Sequence, residues 1–221
     1  MTNDQPILEL IRAVEEATSS ISLLNAVRSL AAAHHVGAID PLIKVLGYNN
    51  PGAAVAAVDG LIALGEPAVL PLLQQLDGYN YGARAWAVRA LAGIGDPRGL
   101  EVLRTAAETD FALSVRRAAA KGLGSIRWFE MNADEMPAAQ ARAIQSLLLV
   151  CQDPEWIVRY AAVVGLQALA TQLDAIHPQI QDRFEEMALK ESELAVRARV
   201  VLAQQKILAK FSVGEVVQLS S

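Results

Sequence analysis

Cysteine is almost absent from this chain. Cys151 is the only one in 221 residues, which excludes an internal disulfide and any metal site built from several thiolates. Histidine is nearly as scarce: His34, His35 and His177 have no zinc-type spacing, and no phosphate loop or nucleophile elbow accompanies them. No apolar run reaches the ~18 residues a membrane span requires, because charges or prolines interrupt each one. The opening MTNDQPILELIRAVEEA lacks the basic start and unbroken apolar stretch of a secretory signal. It predicts instead an amphipathic helix with Ile7, Leu10, Ile11 and Val14 on one side. Basic residues are not in excess either. The net charge is -5, and without a long basic stripe nucleic acid is not the expected partner. These absences together predict a cytoplasmic protein with no membrane span, no metal and no disulfide.

What the chain does have is a recurring phrase. It reads ARAWAVRALAGI at 83–94, VRRAAAKGLGSI at 115–126, VRYAAVVGLQAL at 158–169 and VRARVVLA at 196–203, with a weaker copy, AAVAAVDGLIAL, at 53–64. Equivalent positions are 30, 32, 43 and 38 residues apart. Repeats of this period predict a right-handed α-solenoid of HEAT-like helix pairs, five to six of them, forming one domain over 1–221. Each phrase is the second helix of a pair. First helices fall between, as at Pro41–Leu46, Ala68–Leu76 and Pro97–Ala107, with Asp40-Pro41 and Asp96-Pro97 as starts and Gly65 and Gly95 as stops. The 43-residue spacing predicts an inserted loop at about 127–139, RWFEMNADEMPAA. A mean hydropathy of +0.28 leaves apolar surface to spare for a protein partner.

Arg84, Arg116, Arg159 and Arg197 share one slot, and Asp110, Asp153 and Glu191 each precede their arginine by six residues. This spacing predicts a structural acid–arginine ladder along the stack. Positions one and five after each ladder arginine lie four apart and so share a helical face. They hold Ala85 and Arg89, then Arg117 and Lys121, then Tyr160 and Val164, while Val115, Ala119 and Leu123 serve the core. Residues 79–128 carry eight basic side chains (Arg84, Arg89, Arg98, Arg104, Arg116, Arg117, Lys121, Arg127) against four acids (Asp96, Glu101, Glu108, Asp110). They also hold Tyr79, Tyr81, Trp86, Phe111 and Trp128. Guanidinium groups suit carboxylates or phosphates, and aromatic rings suit a flat conjugated ligand. The alternative is a solvated basic face with tyrosines packed on the stack's edge. Gly78 and Gly82 frame the tyrosines and permit a tight turn there. Cys151 reads as a buried, inert thiol at the end of a first helix.

The phrases DGYNYGARAWAVRALAGIGDPRGLEVL (77–103) and DFALSVRRAAAKGLGSIRW (110–128) resemble the E/F-type phycobilin lyases of cyanobacteria, most of all the smaller, F-type subunits that act on the phycocyanin α subunit. The match is strong over about the middle quarter of the chain. The resemblance implies a heterodimer with an E-type subunit that binds phycocyanobilin, an open-chain tetrapyrrole, and attaches it through a thioether to a cysteine of the phycocyanin α subunit. It implies phycocyanobilin as bound substrate and no required cofactor. One branch of the family also isomerises its bilin and carries an Asn-His-Cys motif. Here the only cysteine follows Val150, so attachment without isomerisation is expected. On this resemblance Arg89, Arg117 and Lys121 are candidates to hold propionates, and Tyr81, Trp86 and Trp128 to pack on pyrrole rings. Tyr79, Arg84 and Phe111 complete the candidate binding set. Asp110 and Tyr81 are candidate proton donors, with a ladder role the alternative for Asp110. Two other readings remain: a non-catalytic bilin-binding protein of phycobilisome degradation or chromophore detachment, and a HEAT-like adaptor.

Overall fold

The structure, a computed structural model, describes residues 5–76, 81–173, 175 and 177–218, with side chains for all of these except Tyr81 and 213–218. The described residues contain helices and no strand. Two compact units account for the chain, Met1–Gly99 and Leu100–Ser221.

In the first unit the helices are α1 (Gln5–Glu15), α2 (Ser20–Ala32), α3 (Ile39–Val45), α4 (Pro51–Leu64), α5 (Val69–Gln75) and α6 (Tyr81–Ile94). They pack as the pairs α1–α2, α3–α4 and α5–α6, and each second helix lies on the next, α2 on α4 and α4 on α6. The second unit repeats the plan with α7 (Leu100–Thr109), α8 (Leu113–Leu123), α9 (Met136–Val150), α10 (Trp156–Ala170), α11 (Pro178–Lys190) and α12 (Leu194–Gln218). There α8 lies on α10 and α10 on α12. The described residues thus hold six helix pairs, the upper end of the range the repeats predict.

Local chemistry explains most boundaries. Ile7 and Val14 of α1 are buried as its periodicity requires. Asn50 caps α4, its side-chain oxygen accepting the Ala53 N–H at 3.0 Å, with Pro51 at the first position. Gly65 and Gly95 end α4 and α6 at φ 71° and 69°, a conformation other residues adopt at a cost. His34 takes φ 48° after α2, and His35 Nδ1 accepts the Gly37 N–H at 3.0 Å. Two expected starts shift. Helix α3 begins at Ile39, before Asp40-Pro41, because a 3₁₀ turn over Val36–Ala38 leads into it. Asp96 does act as a cap, accepting the Arg98 N–H at 2.9 Å, but of the 3₁₀ turn Pro97–Gly99; α7 starts after it. In the segment 127–139, Trp128–Glu130 forms a 3₁₀ turn and Met136–Ala139 already belongs to α9, so the irregular stretch is shorter than the spacing suggests.

The ladder exists in the second unit, with a different wiring. Arg116 Nε donates to Asp153 Oδ2 at 2.8 Å, and its Nη1 donates to the backbone carbonyl of Asp110 at 2.8 Å. Arg159 repeats this, with Nη2 on Glu191 Oε1 at 2.7 Å and Nη1 on the Asp153 carbonyl at 3.0 Å. Arg197 Nη1 reaches the Glu191 carbonyl at 3.0 Å. Asp153 and Glu191 therefore each give their carbonyl to the arginine six residues on and their carboxylate to the arginine of the preceding repeat. Each carboxylate also accepts the N–H two residues later, as Asp153 does from Glu155 at 2.8 Å.

The closest helix contact in this unit lies between α8 and α10. A Cβ on Gly165 would strike the Ala120 carbonyl oxygen, and one on Gly124 would lie 2.7 Å from the Gly165 Cα. Gln172 Nε2 donates to the Gly124 carbonyl at 2.9 Å and pins the same junction.

Candidate functional site

Seven of the eight basic residues of 79–128 divide into two groups. Arg98 is bound by Asp96 at 2.7 Å and Glu66 at 2.8 Å. Arg104 is bound by Glu101 at 2.8 Å, Arg127 by Glu130 at 2.9 Å, and Arg116 by Asp153. Those four are engaged within the chain, Arg116 in a buried pair and the others in more exposed ones. Arg89, Arg117 and Lys121 are exposed and, among the described residues, form no ion pair. They occupy the slots that the repeat register assigns to the outer face of the second helices.

In the first unit α6 presents Arg84 half-buried, Trp86 half-buried and Arg89 exposed. The Arg89 guanidinium lies 5.5 Å from the Trp86 ring centroid, a cation–π contact that keeps both side chains on one helical face. Tyr79 and the side chain of Tyr81 lie outside the described residues.

In the second unit the same face runs along three adjacent second helices. On α8 it reads Leu113, Arg117, Lys121; on α10, Trp156, Tyr160, Val164; on α12, Leu194, Ala198, Leu202, each set spaced by four and therefore aligned. Leu113 is 41% exposed, Trp156 42% and Leu194 68%. The face changes from cationic on α8 to aromatic on α10 to apolar on α12, an arrangement that suits a long ligand with an acidic part and a conjugated part. Phe111, 71% exposed, lies just before α8.

Trp128, a candidate ring contact, and Asp110, a candidate proton donor, have a different place. Trp128 is buried at 3% exposure, because the 3₁₀ turn tucks its ring inward, and Phe129 takes the outward position at 81%. The Trp128 ring is core here and is not available on the outer face. Asp110 is buried, its Oδ1 accepts the Ala112 N–H at 2.9 Å and its carbonyl receives Arg116. That geometry is the ladder's.

Burial pushes the Cys151 thiol up to about 12, so at neutral pH it stays protonated and is no nucleophile. An apolar cavity of about 330 Å³ lies between α11 and α12, lined by Ile180, Phe184, Val201, Leu208 and His177. It has no cationic side chain in its lining and bears Glu185, so it does not suit an acidic ligand.

A model of HEAT repeats matches residues 70–167. The chain is 52% identical over 201 residues to the phycocyanin alpha phycocyanobilin lyase CpcF of Synechocystis sp., covering 91% of this chain and 94% of that protein. The chain belongs to the CpcF family of phycocyanobilin lyase subunits. A second CpcF-type relative, phycocyanobilin lyase subunit beta of Pseudanabaena tenuis, is 57% identical over 91% of this chain and 73% of its own length. The solved complex of CpcE and CpcF of phycocyanin lyase from Nostoc sp. contains a chain 53% identical to this one. It aligns with a TM-score of 0.73 over 77% of this chain and 99% of that one. Two residues that the repeat register did not single out are Trp156, on the outer face of α10, and the buried Arg199 of α12. Extending the one-and-five register by a turn upstream finds Trp156. Arg199 stands two positions after a ladder arginine, where α8 and α10 hold alanine and α6 holds Trp86, and a charge at that slot was its only signal.

Proposed function

We propose that this chain is the F-type subunit of a heterodimeric phycocyanobilin lyase, which binds phycocyanobilin along the outer face of the second helices of its second unit. With an E-type subunit it attaches the bilin to a cysteine of the phycocyanin α subunit. The observation that carries the site assignment is the division of cations in the second unit: Arg104, Arg116 and Arg127 are committed to acids, while Arg117 and Lys121 are exposed and form no ion pair among the described residues. Two propionates on a conjugated tetrapyrrole are the matching chemistry. The names of the relatives support the same reaction and the same partner.

The chemistry is addition of S–H across the ethylidene double bond of ring A. The acceptor thiolate forms the S–C bond, the π-electron pair takes up a proton at the ring carbon, and nothing leaves. The addition is balanced without oxidant, nucleotide or metal, so none is invoked. The chain's contribution is to hold the bilin extended and oriented, so that the acceptor thiol meets one carbon from one side. Its own Cys151 is enclosed and protonated, so the acceptor supplies the thiol. We assign the reaction to the cytoplasm, where protein thiols stay reduced. Isomerisation is not part of this reading, since no Asn-His-Cys motif is present.

Mixing the chain, its E-type partner, phycocyanobilin and the apo-phycocyanin α subunit is expected to give a red-shifted product that keeps its colour in acid urea. A shift that vanishes on denaturation would reduce the role to bilin binding, and no shift would leave an adaptor. Arg117→Ala with Lys121→Ala is expected to weaken phycocyanobilin binding roughly tenfold or more, two charge-assisted contacts being lost. Far-ultraviolet helicity is expected to be unchanged, because both side chains are exposed. Equal affinity of variant and parent would refute the assignment of the α8 face.

A further inference from the structure

Arg199, on α12, is 9% exposed and forms no ion pair among the described residues. Its one hydrogen bond runs from Nη2 to Gln167 Oε1 at 2.7 Å, and its Nη1 is buried without a partner. The ladder arginines of this unit set the contrast: Arg116 and Arg159 are each bidentate to a carboxylate. An arginine cannot shed its charge, and a desolvated, uncompensated cation is among the most costly features a fold can carry. The same position two residues after the ladder arginine is Ala118 in α8 and Ala161 in α10. The two neighbouring second helices of this unit thus have a small residue there, α6 has Trp86, and none of the three places a charge at this slot.

Its surroundings point outward. Gln167 and Tyr160 are seven residues apart on α10, so they lie on one side of that helix, and both are half-buried. Tyr160 also belongs to the outer face shared with Arg117 and Lys121. The Tyr160 phenol acts on Arg199 electrostatically, and burial holds the guanidinium below its usual value. A planar five-donor group with one arm fixed and the other enclosed and unpartnered, at a seam beside this face, has unused capacity for a carboxylate that enters the seam.

We infer that Arg199 receives a carboxylate from outside this chain, donating from its unpartnered Nη1 at the α10–α12 seam beside Tyr160. This rests on the proposed function in that the favoured source is a propionate of the bound phycocyanobilin; an acidic side chain of the E-type subunit would offer the same chemistry. Arg199 is then a positioning residue, fixing where the tetrapyrrole sits along the second helices.

The test uses Arg199→Met in the heterodimer with the E-type subunit, with Arg199→Lys as the conservative variant. Three quantities are read: unfolding of the unliganded chain, affinity for phycocyanobilin as free acid and as dimethyl ester, and affinity between the two subunits. Met at this position is expected to leave the unliganded midpoint unchanged or higher, since an unpaired buried charge is replaced by an apolar chain of similar length. It is expected to weaken free-acid binding roughly ten- to a hundredfold with the ester unaffected, and Lys is expected to recover part of the loss. Weaker subunit assembly with unchanged bilin affinity would place the carboxylate on the partner. A lower midpoint in Arg199→Met with both affinities unchanged would overturn the inference and leave the lyase assignment standing. If the parent heterodimer bound no phycocyanobilin while Arg199→Met still weakened assembly, the lyase assignment would fail and the carboxylate contact would stand. No bilin binding by the parent and no effect on assembly would reject both.

Discussion

Arg159→Ala is expected to lower the stability of this chain by about 3–5 kcal/mol, the cost of breaking a buried pair by removing one partner. The side chains are 16% and 5% exposed for Arg159 and Glu191. Four hydrogen bonds disappear together, two to Glu191 and two to the carbonyls of Asp153 and Pro154. Glu191 would be left buried, with the backbone N–H groups of Glu193, at 2.9 Å, and Ser192 as its remaining partners. The loss also has a pH signature. The Arg159 hydrogen bond, ahead of the opposing effect of burial, holds the Glu191 carboxyl below its ordinary value. A carboxylate depressed on folding stabilises fully above its unfolded pKa of ~4.3 and loses that contribution as pH falls through the lower folded value. The parent and Arg159→Ala are therefore expected to differ most near neutrality and to converge in the acid window below about pH 4. Urea midpoints measured across that range check both statements. Equal midpoints at neutral pH would remove the ladder from the account of stability.

Gly165→Ala is the second large expected effect. In most helices this exchange is favourable by up to ~1 kcal/mol. Here the added methyl would overlap the Ala120 carbonyl oxygen and approach Leu147 Cδ2 to 2.9 Å. A backbone oxygen cannot swing aside as a side chain can, so α8 and α10 must separate. Overpacking of this kind typically costs 1–3 kcal/mol and sometimes more, and a net loss of about 3 kcal/mol is expected. Chemical unfolding measures it. Because Lys121 on α8 and Tyr160 on α10 face outward from the two helices being forced apart, affinity for phycocyanobilin is expected to fall as well, although Gly165 presents no side chain to a ligand. Unchanged stability would mean that the α8–α10 contact is looser than the glycines indicate.

The fold was legible in the sequence because one slot recurs. An arginine every 32 to 43 residues, amid alanine and valine, has few readings other than stacked helix pairs. The wiring of the ladder was not legible. Spacing shows that an acid stands six residues before an arginine, but cannot distinguish the acid's carbonyl from its carboxylate, and Asp153 uses both on arginines of different repeats. Trp128 was misplaced for a similar reason. Three residues of 3₁₀ turn carry no periodicity, so nothing in RWFE tells which aromatic turns inward. The outward placement of Arg117 and Lys121 was legible because they lie on a regular helix whose core residues are unambiguous. Arg199 was missed because the register led attention to the outward slots, and it lies between an outward slot and the core.

The burial of Cys151 acquires a further meaning beside an electrophilic cargo. The ring-A ethylidene of a bilin adds thiols, and a carrier with a reactive thiol of its own would be labelled by what it carries, ending as a coloured, spent protein. This chain has a single sulfhydryl, 4% exposed at the end of α9 and raised to about 12. The handler is thereby immune to its own reagent, and the pigment reaches the acceptor still able to react.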